Sequence, residues 1–254
     1  MKKNIFIVLI ILGVVFSFAQ QQVTEIKKTY IQDLPLIVPH DDYCGIYLDD
    51  VKYVGKIIGS EENELIRNNF SINEVLIAEF KKKKIEDGDV FEVVKPVFTR
   101  EGSKVKGIIR KVGKVMVVGD ERNNKKVKIV ELCADLTIGS YLIPFKEYAP
   151  YRGKEPKKIG TLSDKIFKAK GKIVYIENDV NEGTEGMKVF LRSGSAVGLK
   201  RGTFIIFYQV EPSVGNRIYL GKGIIVTSNK RNAIAKILHL KNPLYKGNYW
   251  ALLK

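Results

Sequence analysis

The sequence predicts an all-β protein built from two tandem domains, and three observations carry that prediction. The second half of the chain repeats the first in the same hydrophobic phase. Short runs rich in Val, Ile, Tyr and Phe recur through both halves, divided by Gly, Asn and Asp at turn positions. An apolar run at the N-terminus ends in small residues, the pattern of an export signal.

The repeat is specific to named segments. Gly55-Lys56-Ile57-Ile58 returns as Gly171-Lys172-Ile173-Val174. Ile85-Glu86-Asp87-Gly88-Asp89-Val90-Phe91 returns as Leu199-Lys200-Arg201-Gly202-Thr203-Phe204-Ile205. Val112-Gly113 matches Leu220-Gly221, and Lys128-Ile129-Val130 matches Lys236-Ile237-Leu238. Ile138-Gly139-Ser140-Tyr141-Leu142 matches Lys246-Gly247-Asn248-Tyr249-Trp250. The offset drifts only from about 116 to about 108 residues, so few insertions separate the copies.

In chain order, Lys2 and Lys3 precede an unbroken apolar run from Ile5 to Phe16, and Ser17-Phe18-Ala19 supplies small residues at −3 and −1. Cleavage after Ala19 follows, giving a signal peptide over 1–19. The run is shorter than the roughly 20 residues of a membrane-spanning helix, and no later run could span a bilayer. No stable membrane span is expected after signal removal, and the mature chain is expected to be periplasmic or extracellular. Residues 20–44 read as an extended N-terminal arm, with Pro35 and Pro39 blocking a helix.

The first β domain spans 45–145. Strands are expected at 53–59, 75–78, 89–97 and 141–145, with a helical insert over 60–70. A hairpin joins 113–119 to 125–133 across the polar run Asp120 to Asn124. A basic linker occupies 146–170, where 161–170 reads as a short helical turn or an extra strand. The second β domain, 171–254, is expected to hold strands at 172–177, 187–192, 203–210, 218–227, 232–239 and 248–253. Two small barrels of the SH3/OB-like kind, related by internal duplication, fit this spacing. Gly88 with Gly202, and Gly139 with Gly247, each precede a strand, where a turn entering a barrel needs φ > 0.

The formal charge is +15. It falls to about +13 without the signal, and about +8 of it lies in 171–254. Such a surface attracts phosphates, acidic glycans or acidic protein. The densest run, Lys81-Lys82-Lys83-Lys84, crowns a loop between strands and, with Lys157 and Lys158 of the linker, is the candidate anion-contacting set. Tyr208, Tyr219, Tyr245, Tyr249 and Trp250 form a candidate aromatic platform, although Trp250 also reads as a core position.

Catalytic signals are sparse. His40 and His239 stand apart, and neither has a His, Cys or carboxylate at ligand spacing. No phosphate-binding loop occurs, and Gly221-Lys222-Gly223 reads as a bulge. Asp87-Gly88-Asp89 reads as a turn, since the second copy carries Arg201 and Thr203 there. No catalytic residue, metal or cofactor is expected. Cys44 and Cys133 are either a disulfide or two buried thiols, and export permits the former.

Gly171 to Val174, Gly198-Leu199-Lys200-Arg201-Gly202-Thr203-Phe204, Leu220 to Val226 and Tyr245-Lys246-Gly247-Asn248 carry a resemblance. The second copy resembles the C-terminal β domain of the flagellar assembly protein T family. It is also similar to β domains that follow LysM modules in bacterial envelope proteins. The first copy is similar to the partner domain of those LysM-associated proteins, through Gly55 to Glu62 and Ile138 to Phe145. The resemblance implies a non-enzymatic part of an envelope assembly with an envelope protein as partner. It carries no catalytic residues over, and no LysM module is recognisable here. The competing expectation is a binding module for peptidoglycan or another anionic or glycan polymer; nucleic acid is not expected.

Overall fold

A computed structural model describes residues 44–61, 69–81, 84–147, 162 and 164–254. The expected signal peptide, most of the arm, most of the helical insert and most of the linker lie outside the described residues; Ser60, expected to open the insert, instead ends a strand.

The described chain is all-β. The first half holds β1 (Gly45–Leu48), β2 (Gly55–Ser60), β3 (Val75–Phe80), β4 (Val90–Phe98), β5 (Lys104–Glu121), β6 (Asn124–Leu132) and β7 (Tyr141–Pro144). The second holds β8 (Phe167–Ile176), β9 (Glu182–Gly183), β10 (Lys188–Leu191), β11 (Phe204–Val210), β12 (Arg217–Ser228), β13 (Ala233–Leu240), β14 (Leu244–Tyr245) and β15 (Tyr249–Leu253).

In the second half β10-β13-β12-β11-β15-β8 form a closed barrel. In the first, β5-β4-β7-β2-β3-β6 run side by side, and an additional β5–β6 pairing joins the two ends. The two rings share one cyclic strand order once β2, β3, β4, β5, β6 and β7 are set against β8, β10, β11, β12, β13 and β15. Closure leaves no free edge among the six strands of either ring.

The correspondence extends to single hydrogen bonds. The Gly88 N–H donates to the Val117 carbonyl at 2.9 Å, and the Gly202 N–H to the Ile225 carbonyl at 2.7 Å. The Gly139 N–H donates to Ile57, and the Gly247 N–H to Ile173. All four glycines have φ between +80° and +91°. A further matched turn escapes the sequence comparison because its residues differ. Asn73 (φ 76°) donates to the Ile129 carbonyl as Gly186 (φ 88°) donates to Ile237.

Alternation along the strands fills each ring. Phe91, Val93, Val115, Val117, Val127 and Leu142 pack in the first core; Ile205, Phe207, Ile225, Ile237 and Trp250 pack in the second. β11 is a continuous apolar run because both faces are covered. Ile205 and Phe207 turn inward, while Ile206 and Tyr208 lie under Phe167 and Ala251 on the outside.

Several elements differ from expectation. β5 begins at Lys104, nine residues before the expected Gly113. Its first half pairs with β1, a strand the sequence pattern does not announce. The first hairpin is tighter than expected, since Glu121 pairs Asn124 and only Arg122 and Asn123 turn. The domain boundary expected at Lys170 falls inside β8, which begins at Phe167 directly after a 3-10 turn at Asp164–Ile166. Gly221-Lys222-Gly223 lies within β12, and the register against β13 shifts between Lys222 and Gly223.

Candidate functional site

The site begins with a seam between the two rings. On the outside of the second barrel, Phe190 stands in register with Ile234 on one side and Tyr175 on the other. This apolar row receives Ile46 and Leu48 of β1, Val97 of β4, and Val105 and Ile108 of β5. All eight side chains are buried. Burial of this kind contributes about 1.5–3 kcal/mol per large apolar side chain, before the entropy of ordering is counted.

Three consecutive residues in the 3-10 turn Glu177–Asp179 clamp the seam. Glu177 accepts the Ile46 N–H on Oε1 at 3.1 Å and the Lys188 N–H on Oε2 at 3.2 Å. Asn178 Oδ1 accepts from the Arg110 guanidinium. Asp179 Oδ2 accepts the Arg100 N–H at 2.6 Å. Asn178 and Asp179 adopt φ of 65° and 52°, a left-handed conformation that Asn and Asp tolerate better than most side chains. Lys188 Nζ returns a hydrogen bond to the Cys44 carbonyl. At the far end Asn229 Nδ2 donates to Asp50 Oδ2 at 3.0 Å. The described residues accordingly fall within one compact unit.

Cys44 and Cys133 are joined as a disulfide, with Cα atoms 5.6 Å apart and a sequence separation of 89. It pins the chain entering β1 to the end of β6. Cys44, Glu131 and Cys133 are the group of potential metal ligands that comes together among the described residues. The sulfurs are bonded to each other, and the Glu131 carboxylate takes Lys114 Nζ at 2.7 Å.

Two hollows flank the clamp. One, of about 250 Å³, is lined by Cys44, Arg110, Lys111, Glu177 and Lys188. The other, of about 360 Å³, is lined by Lys95, Phe98, Arg100, Arg110, Tyr175 and Asn178, with Asp135 and Asp179 also on its wall. Burial pushes the Lys95 ammonium below its ordinary range; Asp135 opposes this and Arg110 adds to it. Burial pushes the Tyr175 phenol up.

The lysines singled out by sequence lie elsewhere. Lys81 directly follows β3 and is exposed, and its N–H donates to the Val54 carbonyl. Lys84 is exposed and stands 3.5 Å from Glu86. Lys82, Lys83, Lys157 and Lys158 lie outside the described residues. His40 does as well; His239 is exposed, with Nδ1 at 3.0 Å from Glu185.

The aromatic set divides. Lys172, Tyr249, Tyr208 and Tyr219 lie side by side in register across β8, β15, β11 and β12. Tyr208 is only 2% exposed, with Phe167 at 5.3 Å on one side and Tyr249 at 5.3 Å on the other. Trp250 faces inward and is 1% exposed. These rings are chiefly packing, and only Tyr245 is openly exposed.

The junction itself was missed by sequence reasoning. The available signal was Glu177-Asn178-Asp179, a polar triplet directly after a strand, in line with Glu61-Glu62-Asn63 of the first copy. No protein-family model matches this chain, and no curated protein matches it.

Proposed function

We propose that this chain is a non-enzymatic exported protein with a structural or interaction role in a cell-envelope assembly. The observation that carries this reading is the junction. Two rings of strands are held as one unit by a buried seam and a three-residue clamp, which is an investment in rigidity. A rigid body presents loops and outer strand faces to a partner without an ordering cost at the moment of binding. The sequence repeat and the shared cyclic order support an internal duplication. The export signal, the disulfide and the resemblance to flagellar assembly protein T and LysM-associated domains support the envelope address. Crosslinking of the tagged full-length protein in the envelope fraction, followed by pull-down, tests the reading. A defined envelope protein in the crosslinked product supports it; recovery as an unpartnered cytoplasmic monomer rejects it.

A second reading, a binding module for an anionic or glycan polymer, is favoured by one observation. Lys168, Lys170 and Lys172 are exposed at alternate positions of β8 and so point to one outer face. Sedimentation with purified cell wall at rising salt tests it. Retention that collapses as salt rises supports a charged-polymer contact, and no retention at low salt rejects it.

A further inference from the structure

We propose that the 360 Å³ hollow beside the clamp is a binding site for a carboxylate group, presented by an acidic peptide or by a free diacid. Its geometry is the first argument. Lys95 and Arg110 are directly opposite each other in the β4–β5 register. Like charges in that position repel and lower the stability of a strand pair. Both are withdrawn from full solvent exposure, and both line the hollow with Arg100. A repulsive pair held in a half-dry cleft is relieved when an anion enters between the charges.

The surrounding groups sharpen the assignment. Arg110 spends one guanidinium nitrogen on the neutral amide of Asn178, which fixes its direction and leaves its charge uncompensated by that bond. Asp179 is already engaged by the Arg100 N–H and stands 4.0 Å from Lys246. Asp135 is exposed and offers its charge to Lys95 from the rim. Two basic side chains, Lys95 and Arg110, therefore share the hollow with the Asp135 carboxylate, and Arg100 also lies on its wall. A planar carboxylate matches the fork of a guanidinium and takes a further hydrogen bond from an ammonium. The volume is at the small end for ligand pockets, which suits one short side chain or a small diacid. Phe98, 54% exposed on the same wall, adds an apolar contact for the carbon chain that carries the acid.

This deepens the interaction role proposed above, but the experiment needs only the purified full-length protein. Failure here leaves the envelope role standing, and failure of the envelope crosslinking leaves this site standing. Calorimetric titration at fixed ionic strength uses two probes: glutarate, and an acetylated, amidated tetraglutamate peptide. Saturable binding is expected, weakened about ten- to a hundred-fold by Lys95→Gln. Lys95→Gln keeps the Asn178 clamp and removes a charge that burial disfavours, so its melting point should not fall. Lys172→Gln, at a residue that does not line the hollow, removes the same charge and should leave affinity unchanged. Much tighter binding of the peptide identifies a peptide source, and equal affinity identifies a free diacid. Absence of saturable binding by both probes overturns the proposal, as does equal weakening by Lys95→Gln and Lys172→Gln.

Discussion

Gly171 lies directly opposite Trp250 in the register of β8 and β15, and a Cβ on Gly171 would fall 2.9 Å from the indole Nε1. The glycine is required by the ring it faces. In the first barrel the same relationship joins Gly55 to Leu142. Gly171→Ala is expected to destabilise the protein by about 1–3 kcal/mol through overpacking, measured by denaturant unfolding. Combined with Trp250→Leu it should cost less than the two single changes added together, because the smaller side chain removes the clash.

Glu177 bridges Ile46 and Lys188 across the seam. Glu177→Ala leaves two N–H groups without their acceptor and should cost about 1–3 kcal/mol. Amide hydrogen exchange should quicken at Ile46 and Lys188 together. Unchanged protection at both would show that the apolar seam alone holds the junction.

The Cys44–Cys133 bond closes a long loop. Cys44→Ser, or reduction of the native protein, should lower stability by about 2–5 kcal/mol. A reduced sample with an unchanged unfolding midpoint would contradict this.

Lys111 and Glu92 form a buried ion pair at 2.7 Å, with both side chains no more than 2% exposed and Lys111 3.8 Å from the Tyr47 ring centroid. Glu92→Gln alone should cost about 3–5 kcal/mol, because it strands a buried ammonium. The double change Glu92→Met with Lys111→Met should come close to neutral for the same reason. Denaturant unfolding of the three proteins checks the pattern.

Tyr53 donates to Asp49 at 2.6 Å, and burial, then that carboxylate, raise its pKa well above the ordinary phenol value. The folded protein therefore holds this proton where the unfolded chain releases it. The stabilisation is complete below the unfolded value of about 10 and is lost as pH rises beyond it. Spectrophotometric titration should show one fewer late-ionising tyrosine in Tyr53→Phe, and the variant should lose less stability than the parent above that pH.

Much of the strand pattern was legible because its causes are local. Val75 to Phe80 or Phe204 to Val210 declare themselves by β-branched and aromatic content, and Gly88 and Gly202 by the turn each must make. β1 was not legible, since Gly45–Leu48 is too short to show a period and exists through its pairing with β5. The first half of β5 carries Lys104, Lys106 and Arg110 among its apolar residues, which obscures a strand pattern. The aromatic residues misled in part, since a tyrosine looks the same in sequence whether it packs under Phe167 or meets solvent.

The sequence by itself determined most of the strands, the turn glycines and the likeness of the two halves, because each depends on residues a few positions apart. Tertiary structure alone decided that Glu177-Asn178-Asp179 would grip β1 and the β4–β5 hairpin, that Cys44 would meet Cys133, and that Lys95 would face Arg110. Those contacts bring together positions whose side chains, taken singly, have the chemistry of ordinary surface residues. Their roles arise only when folding withdraws water from between them.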